Sequence, residues 1–171
     1  MTQMIIKDKF LLPEVFEPIF KIMTSSNFSW FYQKSQTINK EKKDDPYFSH
    51  IFYGDNTPRS NHYEDVISPI LFTLSNVKSL LFVRANLYLK KDKVYSSCFH
   101  TDDCDDVNKY NHKTAIFYIN KNDGYTEFES GEKVESLSNR LLIFDASLKH
   151  RAVSQVTEDR RIVININYIE K

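Results

Sequence analysis

Residues 161–169 alternate between polar and aliphatic side chains, and this limits how they can be used. On an extended chain successive side chains point to opposite faces. Ile162, Ile164 and Ile166 therefore share one face, while Arg161, Val163, Asn165 and Asn167 share the other. Residues 81–89 repeat the pattern, with Leu81, Val83, Ala85, Leu87 and Leu89 on one side and Phe82, Arg84, Asn86 and Tyr88 on its opposite. Strands of this kind suit a sandwich or barrel whose aliphatic sides are covered from outside. Arg161, Asn165, Asn167, Asn86 and Tyr88 then line a polar interior, with Thr114 as a further candidate, and a polar interior implies a ligand site.

From residue 80 onward, short apolar runs predict strands over 81–89, 94–100, 113–120, 125–129, 133–137, 140–144, 149–153 and 161–169. That is the number a jelly roll needs. Ahead of them, the pattern predicts a strand over 4–7 and a helix starting near Pro13, with Val15, Phe16, Ile19, Phe20 and Ile22 on its apolar side. Aromatic strands follow over 28–32 and 47–53. A second helix is expected from Asn61 to Ser75, capped by Asn61 with Glu64 reaching back, its stripe made by Ile67, Ile70, Leu71 and Leu74. These helices cover one sheet.

No internal repeat or linker-like tract divides the 171 residues. The expected architecture is therefore α+β but mainly β: one double-stranded β-helix (jelly-roll, cupin-like) domain over 1–171. Residues 1–79 support it and 80–169 form its core. Aromatic residues at 14% and only three glycines fit such a strand-rich core, with turns made by Asn, Asp and Ser.

Lysine plus arginine and aspartate plus glutamate both number 23, so no charge excess points to a polyanionic partner, and nucleic acid is not expected. The N-terminal stretch carries lysines within a short apolar run, and no segment has the length of a membrane span, so a soluble, cytoplasmic protein is expected. Cys98 and Cys104 are too few for a disulfide framework. The polar stretches 33–46, 54–60 and 103–111 are either lids at a cavity mouth or solvated linkers.

His100-Thr101-Asp102 places a histidine and a carboxylate two positions apart, and on an extended segment both project to the same side and can share an ion. The pattern alone is weak. Five histidines and an acid frequency of 23 in 171 predict about 0.7 chance matches. His62-Tyr63-Glu64 is one such match, but on the expected helix residues i and i+2 diverge and cannot chelate one metal. His150, opening a later strand, supplies a third ligand. Two histidines and one carboxylate leave adjacent coordination positions open, which favours Fe(II) oxygen chemistry over a closed zinc site. The alternative for each histidine is a hydrogen-bonded packing role.

Arg161 strengthens the metal reading. An arginine on the polar interior face stays charged and offers a planar fork to a carboxylate, so its place there implies an anionic ligand. Arg160 competes for the role, but alternation puts it on the Ile162, Ile164 and Ile166 face.

With these residues assembled, the chain resembles the prolyl-4-hydroxylase-like branch of the 2-oxoglutarate/Fe(II)-dependent dioxygenases over nearly its whole length. The segments that carry the resemblance are Arg84-Ala85-Asn86-Leu87-Tyr88, Phe99-His100-Thr101-Asp102, Thr114 to Asn120, Gly124 to Phe128, Asn139 to Asp145, His150, and Arg161 to Asn167. The resemblance implies that His100, Asp102 and His150 hold Fe(II). It also implies that Arg161 and Tyr118 bind the distal carboxylate of 2-oxoglutarate, and that Tyr88 and Asn86 border the cosubstrate or substrate. Activity would then consume O2 and 2-oxoglutarate, release succinate and CO2, and hydroxylate a C–H bond of a peptidyl residue, prolyl among them, or of a small metabolite such as a free amino acid. A non-catalytic carboxylate-binding or sensor protein is the competing reading. The family's Gly-Gly pair is here Gly124-Tyr125, and its small residue two positions after the arginine is Val163.

Overall fold

The structure, a computed structural model, describes residues 4–34, 45–102 and 111–171. The expected lids over 33–46 and 103–111, with Cys104 and its acidic neighbours, lie largely outside the described residues.

The chain forms one large antiparallel sheet and a smaller three-stranded one. In chain order the strands are β1 (Ile5–Lys7), β2 (Phe31–Gln33), β3 (Tyr47–Gly54), β4 (Thr57–Pro58), β5 (Val77–Leu89), β6 (His112–Tyr118), β7 (Tyr125–Phe128), β8 (Lys133–Glu135), β9 (Arg140–Asp145), β10 (His150–Val153) and β11 (Arg160–Glu170). The large sheet runs β1-β9-β6-β11-β5-β3-β2, with β4 paired to β3, and the small sheet runs β10-β7-β8. The two long alternating strands, β5 and β11, lie side by side at its centre and pair Arg161 with Tyr88, Val163 with Asn86 and Asn165 with Arg84.

Alternation decides where each face goes. Val83, Ala85, Ala115, Phe117, Ile162, Ile164 and Ile166 are buried against Phe16, Ile19 and Met23 of helix α1 (Pro13–Thr24) and Ile70 and Leu74 of helix α2 (Ser68–Leu74). This is the expected helical cover. The opposite face contributes Ile116, Tyr118 and Val163 to a second cluster with Phe128 and Val134 of the small sheet. Ile164 sits mid-strand with no exposure. Ile164→Ala is expected to lower unfolding free energy by about 2–5 kcal/mol, read from denaturant titration, because the cavity left there is walled by helices and cannot collapse.

Two local expectations fail, and a third segment, left open between lid and linker, does not border the cavity. Asn61 does not cap a helix: the His62 N–H is taken by Ser60 Oγ at 3.1 Å, and Glu64 accepts from the Ser68 hydroxyl at 2.7 Å. The chain over Tyr63–Ile67 is a π-helical turn, closed by the Ser68 N–H on the Tyr63 carbonyl. Pro69 offers no N–H to the Asp65 carbonyl and its ring crowds that carbonyl, so the turn ahead of α2 widens. Residues 94–100 run beside β10 but form no strand, leaving only the bridges Ser96 to Val153 and His100 to His150. Register slips by one residue between those bridges, and the Ser97 hydroxyl accepts from the Ala152 N–H at 3.1 Å where a backbone carbonyl is due. Finally, 54–60 is a tight hairpin into β4, with Asp55 and Asn56 at φ 51° and 58°, and none of it lines the site cavity described below. No helix of the described residues is long and apolar enough to cross a membrane.

Candidate metal centre and its cavity

His100 and His150 face each other through a backbone pair. The His100 N–H donates to the His150 carbonyl at 3.0 Å and the His150 N–H returns the bond at 2.9 Å. Opposed residues of such a pair project to the same side, and the two rings lie 4.5 Å apart. Two residues on, the Asp102 N–H is held by the Ala146 carbonyl at 3.0 Å, which turns its carboxylate back to the rings. His100 Nε2 lies 3.7 Å from Asp102 Oδ1 and His150 Nε2 3.7 Å from Asp102 Oδ2. The three ligand atoms fall within 4.8 Å of one another, so one ion can bridge them.

The second layer prepares these ligands. His150 Nδ1 donates to the Leu148 carbonyl at 2.9 Å and His100 Nδ1 to the Cys98 carbonyl at 3.3 Å. A carbonyl only accepts, so each ring carries its proton on Nδ1 and turns the Nε2 lone pair inward. Burial holds His150 below the usual histidine range; His100 adds to this and Asp102 opposes it, and the outcome is the neutral form that binds metal. The Thr114 hydroxyl lies 2.9 Å from Asp102 Oδ2 and 2.9 Å from Asn167 Oδ1, sharing one proton between two acceptors. Thr114 and Asn167 therefore support the carboxylate from behind and do not line the cavity as expected.

The competing His62-Tyr63-Glu64 pattern forms no such group. His62 precedes the π-helical turn and its ring packs 5.4 Å from that of Phe28. Among the described residues the His100, Asp102 and His150 group is the one able to hold a metal.

The triad opens into a cavity of about 300 Å³ between the two sheets, whose walls include Arg84, Asn86, Tyr88, Ile116, Thr126, Arg151, Arg161, Val163 and Asn165. Arg161 is 2% exposed, and among the described residues no carboxylate lies within ion-pair distance of it. Its Nε donates to Ser136 Oγ at 2.9 Å and its Nη2 to Thr126 Oγ1 at 3.3 Å. The guanidinium carbon lies 5.4 Å from the Tyr88 ring centre and 5.8 Å from that of Tyr118. Arg160 lies on the helix side of β11, as alternation predicted, and at the strand's end it is exposed and reaches the Thr24 carbonyl at 3.4 Å.

Tyr118 is fully buried and absent from the cavity wall; its hydroxyl meets Thr126 Oγ1 at 2.7 Å. Thr126 thus stands between Tyr118 and the cavity, and a direct contact of Tyr118 with a bound carboxylate is not what this arrangement offers. Burial raises the pKa of both Tyr118 and Tyr88, with Arg161 opposing, so both remain phenols. Asn86 donates to the Tyr88 hydroxyl at 3.2 Å.

Sequence reasoning overlooked Thr126 and Ser136, whose roles arise from how the small sheet docks. It also left Arg84 as an unassigned member of a polar face. Gly124 has a concrete role: a Cβ there would lie 2.8 Å from the Val153 carbonyl oxygen and 3.0 Å from Arg161 Cδ. Gly124→Ala is expected to cost roughly 1–3 kcal/mol through overpacking. It should also displace the arginine, so thermal melting and ligand titration should change together.

No protein-family model and no curated protein matches the sequence. Solved structures do match. A prolyl hydroxylase from Trichoplax adhaerens, in complex with a hypoxia inducible factor oxygen degradation domain peptide fragment, is 13% identical over 99% of this chain and 84% of its own, with a TM-score of 0.65. A Pseudomonas putida prolyl-4-hydroxylase is 10% identical over 100% of this chain and 94% of its own, with a TM-score of 0.64. The viral collagen prolyl hydroxylase of Paramecium Bursaria Chlorella virus-1, in its 2OG complex, is 14% identical over 98% and 96%, with a TM-score of 0.55. The chain therefore has the jelly-roll fold of the prolyl hydroxylases and other 2OG-Fe(II) oxygenases.

Proposed function

We propose that the chain is an Fe(II)- and 2-oxoglutarate-dependent dioxygenase that hydroxylates a C–H bond, with the whole of 1–171 serving as one catalytic domain. One observation carries this reading. A two-histidine, one-carboxylate group and a buried arginine with no carboxylate partner among the described residues line the same cavity.

The donor set fits iron. Two inward Nε2 atoms and one carboxylate supply three ligands and leave open positions, the pattern of non-haem Fe(II) oxygenases. Bound iron and 2-oxoglutarate would together supply O2 activation, with succinate and CO2 as by-products. The protein's own residues do the rest. His100, Asp102 and His150 hold the ion; Thr114 and the Leu148 and Cys98 carbonyls aim those ligands. Arg161 takes the far carboxylate, positioned by Ser136 and Thr126 and flanked by the Tyr88 and Tyr118 rings. The two sheets and buried Tyr118 enclose the Arg161 end of the cavity, while His100, a third exposed, marks the side on which substrate enters.

Anaerobic titration with Fe(II) and then 2-oxoglutarate tests the assignment. A weak visible charge-transfer band that needs both additions supports it. No band, or succinate release that does not depend on iron, would sink it.

A further inference from the structure

A second arginine faces the same cavity without a counter-charge. Arg84 lies across β5–β11 from Asn165, and no hydrogen bond or ion pair engages its side chain among the described residues. Its Nε is buried and unpartnered, as are Asn86 Oδ1 and Asn165 Oδ1, both also on the cavity wall. Buried polar atoms are nearly always satisfied, so three unsatisfied ones on neighbouring residues of a single cavity wall mark that wall as built for a polar ligand.

The orphan arginine is also held ready. Its guanidinium carbon lies 5.8 Å from the ring centre of Tyr47 and 5.8 Å from that of Phe82, while Tyr47 stacks on Tyr88 at 5.7 Å. Aromatic rings occupy the faces of a guanidinium and leave its N–H edges for a planar or tetrahedral anion.

Charge accounting separates it from the assigned groups. Of the other cavity arginines, Arg151 is paired with Glu127 at 2.6 Å and Arg161 is given to the cosubstrate. Asp102, the carboxylate on the cavity wall, is given to the metal. A dianionic cosubstrate still leaves the charge of the half-buried Arg84 uncompensated among the described residues. Position agrees. Asn167, which buttresses Asp102 through Thr114, pairs with Phe82, and Arg84 lies one same-face row along β5. Arg161 stands four residues from Asn165 on β11, roughly 13 Å along the strand. Arg84 is therefore at the metal end, where a reacting C–H must be presented.

Resting on the dioxygenase reading above, we propose that the substrate carries an oxyanion received by Arg84 beside the metal, with a neighbouring N–H or O–H taken by Asn86 and Asn165. A small carboxylic acid bearing an amino or hydroxyl group, or a phosphorylated counterpart, has this chemistry.

The test uses protein loaded with Zn(II) and 2-oxoglutarate, titrated calorimetrically with free L-amino acids, their carboxamides, short 2-hydroxy acids and glycerol phosphate. Acids or the phosphate should bind, with the carboxamides, which keep the amine but lack the carboxylate charge, weaker by about tenfold or more; which arm binds identifies the anion. Arg84→Gln should abolish that discrimination while 2-oxoglutarate uptake persists, and Arg84→Lys should restore part of it. Equal binding of acid and carboxamide, no binding by any member, or loss of 2-oxoglutarate uptake in Arg84→Gln would overturn the proposal. Failure of 2-oxoglutarate to bind the wild type falls on the dioxygenase reading instead.

Discussion

Asp102→Ala is expected to reduce divalent-metal affinity by more than about 100-fold, since even changes to the partners of metal ligands cost roughly 10–100-fold. Asp102 is the only anionic ligand of the group and the one that touches both histidines, at 3.7 Å each. Its loss removes a third of the donors and leaves two imidazoles with rings 4.5 Å apart. The fold should survive, because the Asp102 backbone N–H keeps its bond to Ala146 and the hydroxyl of Thr114 keeps Asn167 as an acceptor. Equilibrium dialysis with Fe(II) or Zn(II), alongside a thermal melt, checks both halves. Metal affinity within tenfold of wild type would show that the ion, if any, sits elsewhere.

Arg161→Gln should weaken 2-oxoglutarate binding by about 100-fold, the equivalent of roughly 3 kcal/mol for a charge-assisted contact in a buried site. Metal binding should change little, because no metal ligand contacts the guanidinium. The amide of glutamine can still reach towards Ser136 and Thr126, the two present partners, which limits the damage to folding. Arg161→Lys keeps the charge but loses the fork, and it should fall between the two. Isothermal titration with 2-oxoglutarate on Zn(II)-loaded protein reads the difference. Undiminished affinity in Arg161→Gln would transfer the carboxylate to another group, Arg84 being the nearest alternative in kind.

The site was legible in proportion to how much of it rests on strand alternation. Arg161 was separated from Arg160 by nothing more than which side of β11 each occupies, and the structure buries one and exposes the other. His100 and Asp102 were suspected from spacing, and His62-Tyr63-Glu64 was set aside because the chain there was expected to be helical. The turn proved to be π-helical, with His62 just ahead of it, yet the pattern still forms no metal group among the described residues. The reason was wrong in detail and the exclusion held.

What alternation does not encode is which strand faces which across the gap between sheets. Tyr118 shares a face with cavity-lining Ile116, but β7 brings Thr126 over its hydroxyl and takes it off the wall. Thr114 and Asn167 lie on the polar face as expected, yet the segment carrying Asp102 folds over them and turns them into its supports. Residues 94–100 have strand composition, but the one-residue slip and the Ser97 hydroxyl break the ladder, an outcome set by the partner strand.

The sequence by itself thus determined the strand-rich layers, the helical cover on the Ile162, Ile164 and Ile166 face, and the choice of Arg161, because periodicity is a local property and burial follows from it. Only the tertiary structure decided that the triad and both arginines open into one cavity. It also decided that Thr126 and Ser136 hold one arginine, and that the other has no partner among the described residues. These are contacts between residues far apart in the chain, created when the small sheet closes over the large one.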